Sequence, residues 1–126
     1  MEVGIDSFVA HNMEGASPPE QPASDVMRDY LVRIEYADQL GIEVFGVGEY
    51  HRREYLDSAP TAILGAAAAR TKAIRSTSAV TVLFADDPVR VFEKFATPRS
   101  HFSRTRGEGG GPRFVHRGFP PFWASP

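Results

Sequence analysis

The chain contains no cysteine, so neither disulfides nor thiolate metal sites are open to it. It has no apolar run near the roughly 20 residues that a membrane-spanning helix needs. The opening MEVGIDSFVAHNMEG lacks a basic n-region and carries acids early, which argues against a secretory signal and makes the cytoplasm the default location. The first apolar segment runs into FVAHNMEG with no GxGxxG, so the glycine-rich turn expected of a dinucleotide-binding sheet is missing. A fifth absence is local: residues 98–126 contain no Leu, Ile, Met or Lys.

What is present fits one modest soluble domain of 126 residues, 42% hydrophobic and 24% charged. The net charge of −2 conceals an asymmetry. Residues 1–97 hold nine Lys or Arg against fifteen Asp or Glu, giving −6, and residues 98–126 hold five Arg against one Glu, giving +4. An Arg/Gly-rich tail can pair with phosphate and stack on bases, so a non-catalytic protein binding nucleic acid or a protein partner is the alternative function class. Five unevenly spaced arginines speak weakly for it.

Residues 3–10 mix β-branched and apolar types and read as a strand, followed by a polar Ser/Pro/Gly/Glu loop over 11–24. Ser24 or Asp25 is placed to cap a helix in which Val26, Tyr30, Leu31, Ile34, Ala37 and Leu40 recur at helical spacing. Gly41 stands where a left-handed terminating residue is expected. A short strand over 42–47 follows. Pro60 opens an alanine-rich helix to Arg70, whose small side chains allow close approach to a sheet. Residues 74–83 read as a third strand, and Asp87-Pro88 caps a third helix with Val89, Phe92, Phe95 and Ala96 as its buried stripe.

Strands alternating with helices imply parallel, right-handed βαβ units. Without a glycine-rich first turn, this α/β pattern favours the opening units of a (β/α)8 barrel, which places function at the C-terminal ends of the strands. The polar clusters fall there. Glu49, Tyr50 and His51 can bind substrate or move protons; equally, they can cap the strand and pair with Arg52 or Arg53. The run Ser76 to Thr81 is small and hydroxyl-bearing, suited either to a flat aromatic ligand or to tight strand packing. His11 and His51 are isolated and His101 and His116 lie in the tail, so no metal site is expected.

GIDSF, ADQLGIEVFGVGEYHR, SAP before the alanine-rich helix, RTKAIRSTSAVTVL and DDPVRVFEKFAT occur in order over residues 1–97. In these pieces the chain resembles the N-terminal part of bacterial luciferase-like flavin-dependent oxidoreductases. The resemblance implies a (β/α)8 barrel with FMN at its C-terminal mouth, or a deazaflavin coenzyme in some relatives. It implies oxidation of an organic small molecule using reduced flavin and oxygen, and leaves open a separate flavin reductase and a homo-oligomeric full-length parent. By the same resemblance, Ser78, Ala79 and Val80 support the isoalloxazine ring, where the family often holds a non-proline cis peptide. The family's second-strand motif is usually Glu-His-His, and here it reads Glu49-Tyr50-His51. A phenol is a poor base at neutral pH. Tyr50 in place of the first histidine therefore weakens the proton-transfer role but not flavin binding.

After the third helix, family members resemble one another in a pattern like LDLISRGRAE. Codons CCT CGA TCT CAT TTC TCG CGG ACG CGC encode Pro98 to Arg106 of this chain; without the first base, the same string reads LDLISRGR. The expectation is one inserted base near codons 97–98, which makes residues 98–126 a non-homologous, disordered tail and the chain a truncated barrel that does not bind FMN tightly.

Overall fold

The computed structural model describes residues 1–11 and 21–105, with side chains described up to residue 98. Strand β1 (Gly4–Ser7) leads to helix α1 (Ala23–Gln39), then β2 (Val44–Val47), α2 (Pro60–Arg70), β3 (Arg75–Ser78) and α3 (Pro88–Thr105). The three strands form one parallel sheet in the order β1-β2-β3, with Ser7, Val47 and Ser78 in register at its C-terminal edge. This is the α/β pattern that the alternation of elements predicts.

Side-chain alternation divides the sheet. Phe45, Val47 and Ile74 join Tyr30, Ile34, Ala37, Ile63, Leu64, Ala67, Val91 and Phe95 in the core beneath the helices. The opposite face carries Asp6, Gly46 and Thr77 in one register row. It is the face that a closed barrel turns inward.

Three expectations need correction. Helix α1 starts ahead of Ser24 and Asp25: Pro22 is its N-cap residue, and its carbonyl accepts the Asp25 and Val26 N–H groups without any side-chain cap. Proline's fixed φ is compatible with that entry, and Asp25 pairs with Arg28 one turn on at 3.0 Å. The buried stripe of α3 is Val91 and Phe95, whereas Val89 is 64% exposed, because the Asp87 cap sets the helix phase. Asp87 Oδ1 accepts the Val89 and Arg90 N–H groups at 2.9 and 3.3 Å. The third strand stops at Ser78 rather than residue 83, since its partner β2 ends at Val47 and offers no further ladder. Helix α3 also carries the backbone through Pro98 to Thr105; residues 106–126 lie outside the described residues.

Gly41 does adopt the left-handed conformation, with φ 77°, at the end of α1. Just before it, Asp38 accepts three backbone N–H groups, from Lys72 at 2.7 Å, Ala73 at 2.9 Å and Ile74 at 2.7 Å, and so fixes the entry to β3. Partial burial pushes its carboxyl pKa up, but the three donors and the Lys72 charge outweigh that and hold it below its usual value. Asp38→Ala should cost about 2 kcal/mol, since only the Ile74 amide is orphaned out of reach of water. The folded-state pKa is depressed, so this contribution is present above the unfolded carboxylate value near 4 and is lost as pH falls through the folded value. Urea midpoints of wild type and variant should therefore converge in acid and separate above about pH 5.

Candidate functional site

The site begins where the strands end. Beyond β1, residues 9–11 pair antiparallel with the loop that follows β2: Leu56 N–H donates to the Val9 carbonyl at 2.9 Å and His11 N–H to the Glu54 carbonyl at 2.7 Å. Asp57, fully buried, closes this patch by accepting the Val9 N–H on Oδ2 at 2.8 Å. Neither Asp57 nor this pairing is visible in the sequence, which offers only a polar loop there.

Gly48 follows β2, and its N–H donates to the Ser7 carbonyl at 3.0 Å. A Cβ at Gly48 would lie 2.2 Å from Phe8 Cδ1, so the missing side chain is what lets the Phe8 ring lie across the backbone. Phe8 meets Tyr50 edge-on at 5.3 Å, and Tyr50 stacks on Tyr55 at 4.5 Å. The three rings make an aromatic corner over the ends of β1 and β2, and Tyr50 remains 39% exposed. Its place in the polar cluster after the second strand marks Tyr50 as a site residue in the sequence, but nothing there signals its partners Phe8 and Tyr55.

The triplet splits. Tyr50 turns toward β1, while Glu49 turns toward β3. The Glu49 side chain is only 7% exposed; Oε1 lies 2.8 Å from His51 Nε2, and Oε2 accepts the Val82 N–H at 3.1 Å. Arg52 pairs instead with Glu54 at 3.5 Å. His51 is 47% exposed. His11 donates from Nε2 to the Gln21 carbonyl, far in role from any ligand set. Among the described residues no three His, Asp or Glu side chains converge on a metal-sized site.

At the end of β3, Ala79 N–H donates to the Val47 carbonyl at 2.9 Å and the Ala79–Val80 peptide is cis. The Ser78 and Thr81 hydroxyls are 2.6 Å apart, and Val80 stands exposed. Gly46 lies alongside: a Cβ there would approach Ala79 Cβ to 2.7 Å and Asp6 Cβ to 3.0 Å. This small-residue, hydroxyl-bearing edge adjoins the Glu49 carboxylate through Val82. A cavity of about 150 Å³ opens behind it, lined among others by Glu49, His51, Thr61, Thr81, Lys94 and Phe95. Lys94 is bound to Asp86 there, and that contact, with the Lys94 charge, holds the Asp86 carboxyl below its usual range.

No helix among the described residues is long and apolar enough to cross a membrane. No curated protein sequence matches this chain. Among solved structures, apo-MsnO8 is 27% identical with a TM-score of 0.65, over 79% of this chain and 29% of that one. The monooxygenase RslO1 from Streptomyces bottropensis is 25% identical with a TM-score of 0.65, over 79% and 30%. The oxygenating constituent of 3,6-diketocamphane monooxygenase from Pseudomonas putida, a type II Baeyer–Villiger enzyme solved with FMN, shares the fold at 20% identity and a TM-score of 0.65, over 79% and 26%. The chain thus spans under a third of each of these proteins. The family model of luciferase-like monooxygenases matches residues 1–99, and the chain belongs to that family.

Proposed function

We propose that this chain supplies the flavin-facing β1–β3 edge of an FMN-dependent oxidoreductase of the monooxygenase type, acting on a small organic substrate. Reduced flavin comes from a separate reductase in this reading. The observation that carries it is the end of β3: small side chains, two hydroxyls 2.6 Å apart and an adjoining glycine, next to a histidine-bearing loop. A planar ring system needs close backbone approach and a few polar groups at its rim, and Ser78, Ala79, Val80 and Thr81 fit both needs. Bound there, the flavin would supply the electrons and oxygen activation. The chain's own groups then orient and exclude: the Phe8–Tyr50–Tyr55 corner walls off one side, and the Tyr50 hydroxyl can donate a hydrogen bond to a substrate oxygen. His51 is the group available to accept or return a proton.

Barrel enzymes seat a cofactor phosphate in the loops after strands 7 and 8, and the described residues hold three strands. The 126-residue chain is therefore expected to bind FMN with a Kd of about 0.1 mM or weaker and to show no turnover. A monomeric preparation carrying one yellow flavin per chain overturns that expectation.

The wider reading is tested by resequencing the gene across codons 90–126 and several hundred bases beyond. Removing one base near codon 97 should open a frame encoding further strand–helix units, and the resulting protein should titrate FMN to one equivalent. A folded, frame-restored protein that leaves FMN fluorescence unquenched refutes the flavin assignment. A downstream frame without such units refutes the account of residues 98–126.

A further inference from the structure

The Glu49 side chain ties together two of the loops meeting at the sheet's C-terminal edge, the one after β2 and the one after β3. A carboxylate almost removed from water must have both oxygens satisfied, and Glu49 meets that demand with one partner from each side. Oε1 takes His51 Nε2 at 2.8 Å, from its own loop; Oε2 takes the Val82 N–H at 3.1 Å, from the loop between β3 and α3. Both oxygens are thus engaged by protein donors, and the side chain is only 7% exposed.

The pairing also decides the chemistry of its neighbour. A carboxylate accepts and cannot donate, so the proton between Glu49 and His51 sits on Nε2. In the neutral imidazole the other nitrogen, Nδ1, then keeps its lone pair.

We propose that Glu49 is a positioning residue rather than a proton carrier: it braces the two loops against each other and fixes His51 as the Nε2–H tautomer, with Nδ1 left as the basic atom. The proposal deepens the flavin reading and rests on it only in taking Ser78, Ala79 and Val80 as the seat of the cofactor. The brace itself stands on the chain's own geometry.

The test uses the 126-residue chain labelled with 15N-histidine, with His51→Gln assigning the His51 signals, at about pH 8 where an ordinary imidazole is neutral. The unsubstituted chain should show the Nε2–H form. In Glu49→Gln the amide oxygen can still accept from Val82 while its NH2 group faces His51 and can only donate. Nδ1–H should therefore become the majority form, with Val82 amide exchange unchanged. In Glu49→Ala both ties are cut, and Val82 exchange should accelerate on the order of tenfold. A residue that merely filled space would leave the tautomer unmoved in Glu49→Gln. That result, or a Val82 amide indifferent to Glu49→Ala in a chain with native helix content, overturns the proposal. If Glu49→Ala does not fold, the tautomer in Glu49→Gln decides alone. Neither readout needs flavin, so a failed FMN titration and a failed brace are separate results.

Discussion

Tyr30→Ala should lower the folding free energy by about 4 kcal/mol, within the range for deleting a buried aromatic side chain. Tyr30 has no exposed surface, meets Phe45 edge-on with ring centroids 5.9 Å apart, and carries the Arg33 guanidinium 5.5 Å from its ring. Its hydroxyl donates to the Ser7 carbonyl at 2.8 Å, tying α1 to the C-terminal end of β1. Burial, followed by the nearby Asp57 charge, pushes the phenol far above its ordinary pKa, so the group stays a donor throughout the working range. Tyr30→Phe separates packing from hydrogen bonding. The Ser7 carbonyl still accepts the Gly48 N–H at 3.0 Å, so no acceptor is orphaned, and the cost should fall to about 1 kcal/mol. Urea midpoints at constant slope measure both. Equal losses from the two variants would mean that the bond to Ser7, not the ring, holds α1 in place.

Tyr30 also illustrates what the sequence makes legible. Its place in the helical stripe with Ile34 and Ala37 follows from spacing alone, and all three are buried. Pro60 at the start of α2, the Asp87-Pro88 entry to α3 and Gly41 at the end of α1 are equally local, since each acts through its own backbone geometry. The errors arise where tertiary partners decide. Residues 80–83 have strand composition, but β2 ends too early to pair beyond the Ala79 N–H, and the side chain of Glu49 takes the Val82 amide instead. Val89 and Val91 are the same residue type two positions apart, and only the helix phase buries one and exposes the other.

The site is split in the same way. The triplet Glu49, Tyr50 and His51 is visible as a polar cluster closing an apolar run, yet its division of labour is not. That Tyr50 joins Phe8 and Tyr55 while Glu49 reaches Val82 depends on contacts spanning up to about 40 residues of sequence. Asp38 and Asp57 are ordinary acids in the sequence; both prove to be caps for backbone N–H groups of distant segments. A single carboxylate gives no periodic signal, so only the folded chain reveals such a role.

Gly46→Ala should destabilise the chain by about 3 kcal/mol, at the upper end for overpacking. The added Cβ would lie 2.7 Å from Ala79 Cβ and 3.0 Å from Asp6 Cβ. Both of those atoms are fixed to backbone, so no rotamer change can relieve the contact and strands must separate. Gly48 makes the useful contrast, because its nearest obstacle is the Phe8 ring, which can swing. Gly65 makes the opposite one: nothing lies within 4 Å of its added Cβ, and a glycine-to-alanine change inside a helix should stabilise by about 0.5–1 kcal/mol. The strand movement in Gly46→Ala has a local signature. Ala79 must retreat from β2, so its N–H loses the Val47 carbonyl and its amide exchange should rise beyond what global destabilisation explains. If the exchange rises only in step with global stability, the sheet has yielded on the Asp6 side, and the edge formed by Ser78, Ala79 and Val80 is stiffer than its small side chains suggest.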